Sequence, residues 1–404
     1  MASSTPEAPA PPFAAAGASL GADPDHAVDT EHRVTPLELF FDLVFVLAIT
    51  QVTAMLADDP TWAGLARGLL VLAMLWWAWA AYAWLTNEID ADEGGARLAM
   101  FAATAGMLVV ALAVPGAFGA NAAEFAVAYA FVRVMHIVLY AAATDDADAR
   151  RAIVRLAPTS FVGCALLGGA SFLDGTAQGA LWAAAVVIDY VGGAVGGGRG
   201  YRLHAAHFVE RHGLIVIIAL GESIVAIGVG SSSHSELAAG EIACALLGMV
   251  VAAGLWWTYF DVTALVAERR LSSVNGAERA RLARDSFSYL HFPMVAGIVL
   301  LALGIKKTLA HTGEPLGTIP AVALCGGVGI YLLAHVARRA RAMHTFGTHR
   351  FVAAAGAFAL IPIALHVEAL GTLALLAALT SALVGFEAWR FRDSRRRLRA
   401  AAHA

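Results

Sequence analysis

Residues 36–57 read PLELFFDLVFVLAITQVTAMLA. Two acids, Glu38 and Asp42, interrupt a run that is otherwise apolar or weakly polar. Its length matches one bilayer crossing, for which a helix needs roughly 20 such residues. It lacks the alternation of apolar and polar residues that marks a barrel strand. Inside a bilayer every backbone N–H and C=O needs a partner within the protein, and a helix supplies all of them by itself. The run therefore reads as a membrane-spanning helix. The whole chain agrees: 59% of its 404 residues are hydrophobic and 14% charged, against about a quarter charged in a soluble domain. So little charge cannot cover a soluble surface of this size, which excludes a soluble globular protein.

Similar runs recur near 62–85, 97–115, 121–143, 151–173, 177–195, 208–230, 239–261, 286–310, 317–337, 350–368 and 371–391. Turn residues separate them, as in Asp58-Asp59-Pro60, Glu93-Gly94-Gly95, Asp174-Gly175 and Gly313-Glu314-Pro315. The prediction is an all-α polytopic protein of about twelve transmembrane helices. The basic residues test the count. With twelve spans, 23 arginines fall on the side that holds both termini, and only Lys306 and Lys307 on the other. Cytoplasmic loops carry the excess of Lys and Arg, and one missed helix would scramble the split. Both termini are therefore expected in the cytoplasm. Residues 1–33 lack the basic start and apolar core of a cleaved signal and are expected to form a disordered tail. Residues 392–404 would form a basic cytoplasmic tail. Cys164, Cys244 and Cys325 all lie in apolar runs, which argues for small buried hydrophobes rather than disulfides or metal ligands. No cofactor is expected.

An internal repeat is visible. Residues 65–77, LARGLLVLAMLWW, and 245–257, ALLGMVVAAGLWW, agree at six of thirteen positions. The same offset sets Asp42 opposite Glu222. Six spans per half implies two parallel six-helix repeats, 34–195 and 207–391, joined by a Gly-rich cytoplasmic linker at 196–206. No strand precedes the glycine run 192–200, so a phosphate-cradling loop is the weaker reading of it.

Ionisable groups at membrane depth are costly and often functional. Glu38 and Asp42 stand four apart, on one helical face. Glu222 lies in Ala219-Leu220-Gly221-Glu222-Ser223, Arg133 and His136 share the fourth span, and Asp189 sits near the inner end of the sixth. Two readings stand. These groups line a pathway for a proton, cation or small solute, with Arg133 neutralising Asp42 or Glu222. Or they form structural ion pairs, which buried opposite charges tend to make whatever the function. Before the seventh span, His204, His207 and Glu210 would share a helical face, a spacing that could ligate a metal. An interfacial cluster is the plainer reading, because no second cluster supports a metal and His234, His291, His311 and His335 are scattered. Trp76, Trp77, Trp256 and Trp257 lie inside spans and read as packing anchors. The Glu- and Arg-rich segment 262–285 reads as a solvated amphipathic stretch touching lipid headgroups rather than a nucleic-acid site.

The stretch Arg33-Val34-Thr35-Pro36-Leu37-Glu38-Leu39-Phe40-Phe41-Asp42-Leu43-Val44-Phe45-Val46, with Thr50-Gln51, resembles the opening signature of the bacterial low-temperature-requirement A (LtrA) family. Glu210-Arg211-His212-Gly213-Leu214 followed by Ala219-Leu220-Gly221-Glu222-Ser223-Ile224-Val225 resembles its second signature. The resemblance covers roughly residues 30–395. It implies a multi-pass protein of the bacterial inner (plasma) membrane whose activity is unsettled, and it marks Glu38, Asp42, Glu210, Arg211, His212 and Glu222 as signature positions. The leading functional expectation is a secondary transporter of a small solute or ion, with the acids of helices one and seven lining the path. The alternatives are a cation channel with two six-helix repeats, since Phe40-Phe41-Asp42 weakly resembles a Phe-x-Asp element of tandem six-helix potassium channels, and a membrane enzyme or structural protein tied to membrane state in the cold.

Overall fold

The computed structural model describes residues 33–396, apart from 90, 93, 145, 197–202, 232–237 and 394. The N-terminal tail to residue 32, most of the Gly-rich linker, His234 and residues 397–404 lie outside the described residues. Helices α1 (Pro36–Asp58), α2 (Trp62–Glu88), α3 (Gly94–Ala113), α4 (Ala122–Ala143), α5 (Ala147–Ala170) and α6 (Gly175–Gly196) come first. Then follow α7 (Ala205–Ser231), α8 (Ala239–Phe260), α9 (Thr263–Ser272), α10 (Gly276–Ala283), α11 (Phe292–Ala310), the single turn α12 (Thr318–Ala321), α13 (Gly327–Met343), α14 (Thr348–Ala364) and α15 (Ala369–Arg390). Strands are absent among the described residues. Eleven helical segments there are long and apolar enough to cross a membrane, and α14, at 17 residues, is a shorter apolar helix. The chain is thus an all-α, multi-pass membrane protein.

Local chemistry starts these helices where the sequence signals it. Thr35 caps α1 in a capping box: its hydroxyl accepts from the Glu38 N–H, and the Glu38 carboxylate accepts from the Thr35 N–H at 2.9 Å. Thr61 and Asp146 cap α2 and α5 by accepting first-turn backbone N–H groups on their side chains. The eleventh span is shorter than expected. The span expected to reach 368 stops at Ala364, because the next residues turn aside to bond another loop. Leu316 N–H donates to the Ala364 carbonyl, Ala369 N–H to Glu314 and Leu370 N–H to Thr312.

In the first six helices α1 packs on α2 and α3, α3 on α4, α4 on α5, α5 on α6, and α6 returns to α2. The same order of neighbours recurs in α7, α8, α11, α13, α14 and α15. The two groups meet where α1 and α2 face α7 and α11. In α2, 78% of the span is buried, against 28% in α6, so α2 belongs to the centre and α6 to the lipid boundary.

Segment 262–285 packs one apolar face against the bundle. Leu271 of α9 and Leu282 and Ala283 of α10 join Phe287 in burying Leu203, Phe208 and Val209. Charge in its sequence hid an apolar stripe that caps the start of α7. A π-turn over Arg284–Tyr289 then leads into α11. The tryptophans also divide. Trp76 and Trp77 are buried anchors, the former donating to the Ser288 carbonyl at 2.7 Å. Trp256 is 45% exposed and faces outward.

Helices α11 and α13 cross backbone to backbone. A Cβ on Gly327 would stand 2.5 Å from the Gly297 carbonyl oxygen, whereas one on Gly385 would meet nothing within 4 Å. Gly327→Val is expected to lower the unfolding midpoint in detergent, at about 1–3 kcal/mol for forced overpacking; Gly385→Val should leave it unchanged.

Candidate functional site

Helices α1 and α7 run parallel, and their contacts keep nearly one register. Glu38 meets His207, Asp42 meets Arg211, and Thr50 meets Glu222, at separations of 169, 169 and 172 residues. Each helix contributes a pair four residues apart, which places both side chains on one face. Arg211 lies between two carboxylates, 3.0 Å from Asp42 Oδ1 and 3.5 Å from Glu38 Oε1. His207 Nε2 stands 3.0 Å from Glu38 Oε2. All four side chains are at most 1% exposed.

Helix α2 braces the group. Trp79 donates its indole N–H to Asp42 Oδ1 at 2.9 Å, and its ring lies 5.8 Å from the Arg211 guanidinium carbon. Asn87 accepts from the His204 N–H at 2.9 Å and offers its amide N–H to His207 Nδ1 at 3.0 Å. Both ring nitrogens of His207 are thus engaged, Nδ1 by Asn87 and Nε2 by Glu38. Glu210 points outward, where its carboxylate accepts from the Val34 N–H.

At this seam two carboxylates share one guanidinium, and Glu38 Oε1 and Asp42 Oδ2 lack hydrogen-bond partners. With both acids ionised, the seam carries one negative charge more than its arginine offsets unless His207 holds a proton, and unpaired charge in a dry place is expensive. A proton or a bound monovalent cation would neutralise it. Glu222 repeats the theme deeper in the bundle. It is 3% exposed, its Oε2 lies 2.6 Å from Thr50 Oγ1, and no cation stands within ion-pair distance of it among the described residues. Thr50 has a single hydroxyl proton, which the Val46 carbonyl at 3.0 Å also claims.

Asp42 and Glu222 lie at different levels: eight residues separate Asp42 from Thr50, the partner of Glu222, about 12 Å along a helix. Two expectations need correcting. Arg133 neutralises neither. It sits in α4, away from α7, and pairs with Asp189 of α6 at 3.4 Å while donating to Ser160 at 2.6 Å. His204 and His207 do not share a face, because α7 begins at Ala205 and leaves His204 exposed outside its first turn.

His291 and His335 are not scattered. They gather with His212 around Arg338, whose guanidinium lies 5.0 Å from the Phe287 ring and 5.5 Å from that of Tyr259. His212 and His291 rings are 5.2 Å apart, and Tyr259 Oη bonds His291 Nε2 at 2.9 Å. His335 and Arg338 stand three apart on α13, but His212 and His291 come from distant parts of the sequence, and no local spacing joins them to that pair. Among the described residues no group of three or more His, Cys, Asp or Glu is placed to hold a metal ion.

Such a fold, with buried acids, an arginine and a histidine meeting between helices, defines a polytopic membrane protein. Residues 33–385 match the family described as Bacterial low temperature requirement A protein (LtrA). The chain belongs to that family. It is similar to an uncharacterized protein of Rhizobium meliloti (strain 1021), 31% identical over 309 residues, covering 73% of this chain and 74% of the relative. No solved structure matches.

Arg211→Gln should destabilise the purified protein by about 3–5 kcal/mol, since it strands two buried acids. The double variant Arg211→Gln with Asp42→Asn should recover part of that loss, and a double-mutant cycle on the unfolding midpoints measures the coupling.

Proposed function

We propose that this LtrA-family protein is a secondary transporter of the bacterial inner membrane, coupling a proton or monovalent cation to the movement of a small solute or ion. The observation that carries the reading is the α1–α7 seam, where Glu38 and Asp42 share Arg211. A site that needs one added proton or cation for neutrality favours cation uptake, and release of that cation leaves a buried charge unpaired. Glu222 is the second acid of the path, beside Thr50. Their difference in depth supports a stepwise passage along α1 and α7 rather than one shared site.

The matching neighbour order of α1–α6 and of α7, α8, α11, α13, α14 and α15 supports two parallel halves derived by duplication, as many secondary transporters have. The seam lies where these halves meet, so its protonation state acts on their packing. The arginine split supports both termini in the cytoplasm.

The test is proton movement in proteoliposomes carrying an internal pH dye, driven by a potassium diffusion potential. Wild type should acidify the lumen, with Asp42→Asn and Glu222→Gln each slowing it by about tenfold or more, or about 1.4 kcal/mol in barrier. Rates unchanged in both variants would sink the residue assignment. Large unitary currents in a planar bilayer would replace the carrier with a channel.

A further inference from the structure

A partly open cavity apart from the α1–α7 seam lies between helices of the first half and the segment that leads into α11. Its volume is about 70 Å³, and it lies at the arginine-rich ends of α2, α4, α5 and α6, beside α10 and the π-turn. Its wall includes Trp77, Trp84, Arg133, His136, Arg284 and Ser288. One water needs roughly 10–15 Å³ by this measure, so the space holds a compact group of about five atoms.

The wall carries donors that nothing uses. Arg133 is 1% exposed and His136 2%. Arg133 spends only NH2, on Ser160 and Asp189. Its Nε and NH1 lack hydrogen-bond partners, and His136 beside it has the Ala81 carbonyl within reach of one ring nitrogen. Buried donors of this kind are costly to leave unmet. Arg284, partly exposed, is held in place by the Asp285 carboxylate and the Ala194 carbonyl. Ser288 Oγ accepts from the Trp84 indole at 2.8 Å. Trp77, stacked on Tyr190 at 4.4 Å, closes one side. It has room only because residue 193 is glycine, where a Cβ would stand 2.6 Å from its ring.

We propose that this cavity binds a phosphate group, with Arg133, His136 and Arg284 as its ligands. The space suits one phosphate. The donors come from α4 and from the π-turn, on different walls, which suits a tetrahedral oxyanion better than a flat carboxylate. Guanidinium forks are the preferred partners of phosphate. Asp189 engages the NH2 of Arg133 and leaves its other nitrogens for the ligand. Basic pockets between helices at the cytoplasmic side take lipid head groups, and the aromatic wall would receive the apolar part of such a molecule. The phosphate therefore belongs either to an anionic lipid entering sideways or to free phosphate from the aqueous side.

The full chain distinguishes these sources. In nanodiscs of phosphatidylcholine with added phosphatidylglycerol, native mass spectrometry reads the lipid retained on the protein. In detergent, titration with inorganic phosphate is followed by tryptophan fluorescence, since Trp77 and Trp84 line the wall. The comparison variants are Arg284→Gln, at a partly exposed position, and Leu156→Trp, which fills the space; their unfolding midpoints confirm that they fold. The expected result is one retained phosphatidylglycerol, preferred over phosphatidylcholine by about tenfold and lost in both variants. A fluorescence change with phosphate alone, abolished by the same variants, would support the site and assign it to a soluble ligand. No preference for the anionic lipid together with no response to phosphate overturns the proposal. So does a response that survives in both folded variants. Neither readout depends on transport, so this result and that of the proteoliposome assay stand or fall separately.

Discussion

A buried arginine shared by two acids sets the register of the two helices around which the bundle is arranged. Arg211 cannot sit dry without a counter-charge, and Glu38 and Asp42 cannot sit dry without a cation. Once α1 and α7 lie side by side, that requirement leaves little freedom to slide one along the other. A shift by one helical turn would put Arg211 opposite a single acid and strand the other. The neighbouring contacts follow from this register. Glu38 is free to cap α1 and meet His207 at once, and Asn87 bonds the entrance of α7. Trp79 reaches Asp42 from α2.

The same physical demand is met differently at two other buried arginines. Arg133 takes an acid and a hydroxyl from neighbouring helices and keeps unused donors beside a cavity. Arg338 has no carboxylate within ion-pair distance among the described residues and rests against the faces of Phe287 and Tyr259. Its ring partners supply quadrupole attraction rather than full charge. These three solutions spread cationic groups through the arginine-rich end of the bundle, while Glu222 is met by the Thr50 hydroxyl.

Much of this was readable before any coordinates. Chain-wide hydrophobicity and the length of the apolar runs dictate spanning helices, because a bilayer permits little else. The arginine split supports their number. Glu38, Asp42, Arg133, Asp189 and Glu222 stood out because charge in an apolar run is rare, and all five are buried. Pairing was not readable. Arg133 is as plausible a partner for Asp42 as Arg211 when only the sequence is known, and Arg211 looked interfacial because it lies among charged neighbours. The offset of 180 that aligns Leu-Trp-Trp with Leu-Trp-Trp is not the separation at which α1 and α7 touch.

What the sequence determined by itself is therefore the class of fold, the approximate spans and which polar residues lie in the wrong solvent. Each is a property of one segment against water or lipid. The tertiary structure alone decided which charges meet, that His212, His291 and His335 gather at Arg338, that segment 262–285 is a packed cap, and that a cavity lies beside Arg133. Those depend on how helices distant in sequence are set against one another, in rotation and in height. Apolar helices that are hydrophobic all round carry no stripe to specify that choice; the buried charges and the glycines at close crossings make it.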